Sequence, residues 1–407
     1  MTDPESFVII GGGLAGANTA AALRDQGCDA PITLIAAEAH RPYERPPLSK
    51  DLLTGSAERE SVFVHPADWY AEHDVDLRTG VTVEAIDRDG RTVSLADGST
   101  VAYDKLVLAT GARPRSLPLP GADAEGVYLL RTLDDCEALT SLFKSAKRLV
   151  VIGAGWIGLE VTAAARGAGV EVTVVESAEL PLLRVLGPEI AGVFADLHRQ
   201  HGVDFRFGAS PAEITTAGGK ANGVRLEDGT VIEADAVLVG VGVVPNVELA
   251  EKAGLEVDNG VVVDAALRTS DPDIFAVGDV ARAFHPFLDQ HIRVEHWANA
   301  KKQPATAAAA MLGNHASYED LPYFFTDQYD LGMEYVGYVE PGEYDDVVVR
   351  GDLGKREFVA FWMKDGKVLA GMNVNVWDVA DAIKALIRAG DKVDVDRLKD
   401  AETPLGG

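Results

Sequence analysis

One unit is written twice into this chain of 407 residues, and that repetition limits the fold more than any other feature. Phe7-Val8-Ile9-Ile10 runs into Gly11-Gly12-Gly13-Leu14-Ala15-Gly16 and then into an Ala-rich stretch ending at Gln26 and Gly27. Leu149-Val150-Val151-Ile152 runs into Gly153-Ala154-Gly155-Trp156-Ile157-Gly158 and a second Ala-rich stretch to Ala168 and Gly169. In both copies a glycine follows the third motif glycine by eleven residues, where a helix C-cap belongs. A second apolar strand then follows, Ile32-Thr33-Leu34-Ile35 in one copy and Val170 to Val175 in the other. Strand, glycine turn, helix and strand make a parallel βαβ unit, so the chain is α/β with two such units.

The repetition reaches further. Leu106-Val107-Leu108-Ala109-Thr110-Gly111 and Ala236 to Gly242 are buried-strand runs that end in glycine, each preceded by short alternating strands with Asp97-Gly98 and Asp228-Gly229 turns. One domain is therefore expected at 1–113, continued by 245–320, and a second at 114–244. Pro-rich Arg113 to Gly121 reads as the crossing linker. From about Tyr323 the texture changes to aromatic-rich alternating strands and a helix over Trp377 to Ala389, which predicts a C-terminal α+β domain at 321–407.

The glycine spacing carries chemistry. In a βαβ context, GxGxxG lets the backbone approach a pyrophosphate, which then sits on the helix N-terminus. Two units imply two dinucleotides. Glu176 ends the second strand of the second unit, where a carboxylate accepts hydrogen bonds from a ribose and repels a 2′-phosphate; this favours NADH, with Arg184 nearby pulling the other way. The same position in the first unit is Ala36, and Glu38 either reaches the ribose from the loop or is solvated. Ile274 to Val277 delivers Gly278-Asp279 to a strand end, where Asp279 holds a ligand hydroxyl or caps the next helix.

Composition narrows the function classes. With 37 Lys+Arg against 64 Asp+Glu, the net charge of −27 opposes binding to nucleic acid or an anionic membrane. The longest apolar stretch, around Ala236 to Val244, is too short to span a bilayer. Met1 to Ser6 lacks the basic region of a secretory signal, and a cytoplasmic location is expected. Cys28 and Cys136 are the only cysteines, so a CxxC dithiol is excluded and both read as quiet buried thiols. No metal site is expected.

Taken together, the paired GxGxxG units, the Ala-Thr-Gly run and Gly278-Asp279 resemble the pyridine-nucleotide flavoprotein reductases of the glutathione-reductase fold, with two Rossmann-like domains. Arg41-Pro42-Tyr43-Glu44-Arg45-Pro46-Pro47-Leu48-Ser49-Lys50 is similar to the signature of oxygenase-coupled, NADH-dependent ferredoxin reductases, which the apoptosis-inducing factor shares. Phe325-Thr326-Asp327-Gln328-Tyr329-Asp330 resembles their C-terminal domain. The resemblance implies that Gly11, Gly13, Ala15 and Gly16 cradle the FAD pyrophosphate. It places Glu38, Arg45, Val83, Ala109, Arg131, Gly278 and Asp279 among the FAD contacts. Lys50 is implied near the flavin N5 edge, where a cation stabilises negative charge on the reduced ring. Gly153, Gly155, Ile157, Gly158, Glu176, Arg184 and Gly242 are implied around NADH, with Glu160 near the carboxamide. Glu160 also reads as a first-turn acid that favours the helix dipole. Trp297, in Val294-Glu295-His296-Trp297-Ala298-Asn299, resembles an aromatic lid and equally reads as a core residue. Lys50, Glu160 and Trp297 are the expected catalytic residues.

The implied reaction is two-electron reduction of FAD by NADH, followed by two one-electron transfers to a [2Fe–2S] ferredoxin that feeds an oxygenase. An NADH sensor resembling the apoptosis-inducing factor, or a reductase of a small molecule such as a quinone, stays open. Because such ferredoxins are acidic, a local basic face is needed. Arg282, Arg293, Lys301 and Lys302, with His285, His291 and His296 between them, are the candidates.

Overall fold

The structure is a computed structural model describing residues 6–405; the reading of Met1 to Glu5 lies outside the described residues. The chain forms two compact units. The first takes the chain up to Arg45, then Arg59–Arg113 and Val243–Pro322; the second takes Pro46–Glu58, Pro114–Gly242 and everything from Tyr323 on.

Each unit is built on a five-stranded parallel sheet. In the first the strand order is Ile274–Ala276, Lys105–Leu108, Phe7–Ile10, Ile32–Ala36 and Val75–Thr79. In the second it is Val127–Tyr128, Ala236–Val239, Arg148–Ile152, Glu171–Glu176 and Asp204–Phe207. The two motif strands thus occupy the same central place, with the glycine-ended runs beside them. Phe7, Ile9, Leu34 and Leu106 are at most 1% exposed, as strands covered on both faces require.

The helices Leu14–Asp25 and Trp156–Gly167 start on the N-caps Gly13 and Gly155. Their small residues let them lie close to their strands. A Cβ on Gly16 would sit 1.9 Å from the Gly11 carbonyl oxygen, and one on Gly158 would sit 2.2 Å from that of Gly153. No other side chain fits there.

From Tyr323 the second unit adds a five-stranded antiparallel sheet in the order Tyr323–Gln328, Leu331–Gly337, Lys367–Val374, Glu357–Lys364 and Asp346–Asp352. The helix expected from Trp377 starts later, at Ala380, and runs to Ala389. Asn375 and Asp378 have φ of 51° and 62°, which breaks any helical run there and leaves Trp377 exposed. Ile383 and Ile387 pack that helix over Gly371 and Gly337 of the sheet.

The helix Leu183–Gln200 buries His198 completely. Burial pushes its imidazole pKa down to about 4. The unfolded chain therefore binds a proton that the folded chain does not, and stability falls as pH drops from about 6.5 towards 4. At pH 5.5 this group costs about 1 kcal/mol relative to pH 7.5. Thermal melts across that range should lose part of their slope in His198→Gln; an unchanged slope would contradict the assignment.

Candidate functional site

In the first unit the loop after Phe7–Ile10 is held by a close backbone approach. Gly11 has φ of +123°, and a Cβ there would sit 2.1 Å from the carbonyl oxygen of Ala109, so this glycine is obligatory. Gly13 differs: nothing lies within 4 Å of its Cβ position, and its backbone is extended. The helix behind it has no side-chain cap and no acid in its first turn. Its N-terminal amides and the positive end of its dipole are therefore unanswered by the helix itself. Ala15 is buried there, 3.0 Å from a Cβ placed on Gly278.

Gly278 and Asp279 form a 3-10 turn rather than a helix cap, and the Gly278 amide donates to Gln303 at 2.7 Å. Gln303, at 2% exposure, is a positioning residue that the sequence reading missed. Glu38 is not simply solvated: Arg45 donates to its Oε1 at 2.9 Å, and the Tyr43 hydroxyl donates to its Oε2. Burial works against the Arg45 charge, but Tyr43, Glu38 and Asp279 outweigh it and hold the guanidinium pKa above its usual value. Val83 is buried at the start of the strand Val83–Asp87. Trp297 opens the helix Trp297–Met311, donates from Nε1 to Glu44 at 3.1 Å and carries Lys301 4.3 Å above its ring centre.

In the expected basic face several of the charges are answered by neighbouring acids. Arg282 pairs with Asp258, and Lys302 lies 3.4 Å from Asp320. Arg293 is 2.6 Å from Glu295 and its side chain is only 10% exposed. His285 is buried and bonds the Asp320 backbone carbonyl at 3.0 Å.

The second unit repeats the loop. Gly153 has φ of +102°, and a Cβ there would meet the Gly240 carbonyl oxygen at 2.4 Å. Gly155 has nothing within 4 Å of its Cβ position, and its helix again lacks a side-chain cap or a first-turn acid. By contrast, the helix Leu133–Phe143, just after Arg131, has a Thr132 capping box and two first-turn acids. Leu183–Gln200 and Trp297–Met311 also start without a side-chain cap or a first-turn acid, but among the described residues only the motif helices combine a bare end with an N-cap glycine. Ile157 is 44% exposed there, Arg184 is exposed, and Gly242, with φ of 94°, opens onto space. Glu176 accepts from the Ala154 amide at 2.8 Å and the Ala178 amide at 2.9 Å, which fixes the glycine loop to the strand end. In the first unit the Ala36 methyl would lie 2.2 Å from a Cβ on Gly12, so contact replaces that hydrogen bond.

Glu160 does not sit on the first helical turn as the dipole reading expected; it is buried at 3% exposure. Lys50 lies 2.8 Å from its Oε1, Thr326 donates to the same oxygen at 2.5 Å, and Ser49 donates to Oε2. Lys50 is therefore a paired, mostly buried cation and not a solvated one; its ammonium also lies 5.5 Å from the Phe325 ring centre. Burial first, then Glu160 and Asp51, raise the Asp327 carboxyl pKa against the opposing pull of Lys50. Ser49 and Thr326 escaped the sequence reading.

Cys28 and Cys136 are both buried and unpaired, and burial pushes the Cys136 thiol up to about 11. Burial shields both thiols from solvent. Among the described residues no helix is long and apolar enough to cross a membrane.

Residues 5–310 match the family described as pyridine nucleotide-disulphide oxidoreductase, and residues 323–406 match the reductase C-terminal family. The chain is 44% identical over 403 residues to the ferredoxin–NAD(+) reductase component of the anthranilate 1,2-dioxygenase system of Burkholderia cepacia, covering 98% of each. It is 40% identical to putidaredoxin reductase of Pseudomonas putida, covering 100% of this chain and 97% of the relative. Among solved structures, the covalent putidaredoxin reductase–putidaredoxin complex matches with a TM-score of 0.95 and 39% identity, covering 99% of this chain and 98% of that one.

The two kinds of glycine predict opposite phenotypes. Gly155→Val should leave the melting temperature within a few degrees while weakening NADH binding about 10- to 100-fold. Gly158→Ala should lower the melting temperature by several degrees, as overpacking of about 1–3 kcal/mol requires. Equal effects on folding would contradict the division.

Proposed function

This chain belongs to the pyridine nucleotide-disulphide oxidoreductases, and from that premise we propose that it carries electrons from NADH through FAD to a [2Fe–2S] ferredoxin supplying a monooxygenase or dioxygenase. The observation that carries the reading is the pair of uncapped helix N-termini, each with an open Cβ position at its N-cap glycine. Two anionic pyrophosphates fit two such cradles. When bound, FAD accepts two electrons together and releases them singly, which joins a nicotinamide to a one-electron carrier.

The protein's own groups have separable tasks in this reading. Gly11, Gly13, Ala15, Gly16, Ala109, Gly278 and Asp279 hold FAD, with Glu38, Arg45, Val83 and Arg131 completing its contacts. Gly153, Gly155, Ile157, Gly158, Arg184 and Gly242 hold NADH. Glu176 stiffens the phosphate loop through Ala154 and sets a negative field against a 2′-phosphate. Lys50 supplies positive charge for a reduced flavin, and Glu160 fixes that ammonium and meets the carboxamide. Trp297, tied by Glu44, covers the flavin side. No thiol takes part, which fits the two buried cysteines. A cytoplasmic location agrees with their being unpaired.

Cytochrome c reduction with NADH, with and without an added [2Fe–2S] ferredoxin, tests this function. Strong dependence on the ferredoxin and preference for NADH over NADPH are expected. Flavin bleaching without ferredoxin-stimulated transfer, across several ferredoxins, would overturn it in favour of NADH sensing or small-molecule reduction.

The ferredoxin docks near Lys301 and Lys302, with Arg282 and Arg293 contributing less because their acid partners sit closer than Asp320, 3.4 Å from Lys302. Reversing both lysines to glutamate should raise the ferredoxin KM severalfold and flatten its salt dependence, and Lys302→Glu alone should do so in part, with flavin reduction by NADH unaffected. Unchanged ferredoxin kinetics would sink this docking face.

A further inference from the structure

Behind Glu160 the hydrogen bonds continue into the protein. Thr326 Oγ1, 2.5 Å from Glu160 Oε1, lies 3.2 Å from Gln328 Nε2. Gln328 Oε1 lies 2.9 Å from His198 Nε2, and His198 Nδ1 lies 3.4 Å from the Tyr329 hydroxyl. His201 stacks on Tyr329 with ring centres 3.7 Å apart and is exposed, so the row ends at the surface. Thr326 and Gln328 are each 1% exposed and His198 is at 0%, so no bulk water competes for their hydrogen bonds.

The donor directions in this row follow from its end point. Glu160, paired with Lys50 as a carboxylate, offers no hydrogen, so the Thr326 hydroxyl donates to it. The Thr326 oxygen then accepts from Gln328, which turns the amide nitrogen towards Thr326 and the amide oxygen towards His198. His198 must answer that oxygen with an Nε2–H, leaving Nδ1 bare to accept from Tyr329. Every donor points towards Glu160, and hydrogen bonds aligned in this way polarise one another. Neutrality of His198 at ordinary pH, enforced by its burial, keeps that single tautomer.

We propose that Thr326, Gln328 and His198 are positioning residues: their aligned hydrogen bonds hold the Glu160 carboxylate in one orientation against Lys50. The Lys50 ion pair and the Ser49 hydrogen bond both come from the Pro46–Glu58 segment, and a carboxylate held from one side only loses rate to misplacement. The inference rests on the reading of Glu160 as the nicotinamide contact.

The test uses the FAD-loaded enzyme and two readouts. Stopped-flow bleaching of the flavin by NADH separates the apparent Kd from the limiting rate, and NMR of 15N-histidine-labelled protein reads the His198 tautomer without turnover. Wild type should show the neutral Nε2–H form. Thr326→Val should lower the limiting rate about tenfold, leave the apparent Kd within about threefold, and shift the His198 ring signals; Thr326→Ser should restore all three. Thr326→Ala makes the same comparison if the valine variant does not fold. An unchanged rate and unchanged ring signals in these hydroxyl-deleted variants would overturn the proposal. If Glu160→Gln slows bleaching and Thr326→Val does not, the chain of positioning residues fails while the site reading stands. If Glu160→Gln leaves bleaching intact, the site reading fails, and unmoved His198 signals in Thr326→Val would overturn the hydrogen-bond chain separately.

Discussion

A carboxylate at 3% exposure has to be answered by donors, and meeting that demand organises the second unit. Glu160 finds Lys50 and Ser49 in the Pro46–Glu58 segment and Thr326 in the C-terminal sheet, while standing itself on the motif helix. Three separate stretches of chain thus converge on one side chain. Removing the Lys50 ammonium strands the buried charge, which generally costs about 3–5 kcal/mol when an ion pair is broken. The same requirement explains why the short segment carrying Lys50 packs with the second unit although Arg45, five residues earlier, belongs to the first.

Around that centre the duplicated loops use glycine for two distinct reasons. Gly11, Gly16, Gly153 and Gly158 are imposed by the protein's own backbone, since a methyl group there would overlap a carbonyl oxygen. At Gly13 and Gly155 no atom of the described residues lies within 4 Å of a Cβ. Open space at a helix N-cap, with bare amides behind it, is what a pyrophosphate requires. The copies have also diverged in how the loop is braced, by the Ala36 methyl against Gly12 in one and by Glu176 on the Ala154 amide in the other.

Much of this was legible in the sequence because it depends on local pattern. The glycine spacing, the paired apolar strands and the caps at Gly27 and Gly169 are short-range signals, and they return as two sheets with matching strand order. The partners of the site residues were not legible, since they are set by contacts remote in sequence. Ser49 meets Glu160 from 111 positions away and Thr326 from 166. One signal was available: Thr326 and Gln328 are polar residues at alternate positions of a strand, so both face the same buried side. Two polar groups on a buried face require partners. The acid partners of the basic face were hidden for a different reason. Clustering of Arg282, Arg293 and Lys302 along the chain says nothing about Asp258, Glu295 and Asp320, which fold against them.

The central claim is a two-electron input joined to a one-electron output, and a single-turnover count tests it most directly. Enzyme carrying FAD is bleached anaerobically with one equivalent of NADH and then titrated with an oxidised [2Fe–2S] ferredoxin. The account predicts that two equivalents of ferredoxin are reduced for each NADH consumed, with full return of the oxidised flavin spectrum. A bleached flavin that leaves the ferredoxin oxidised would contradict it.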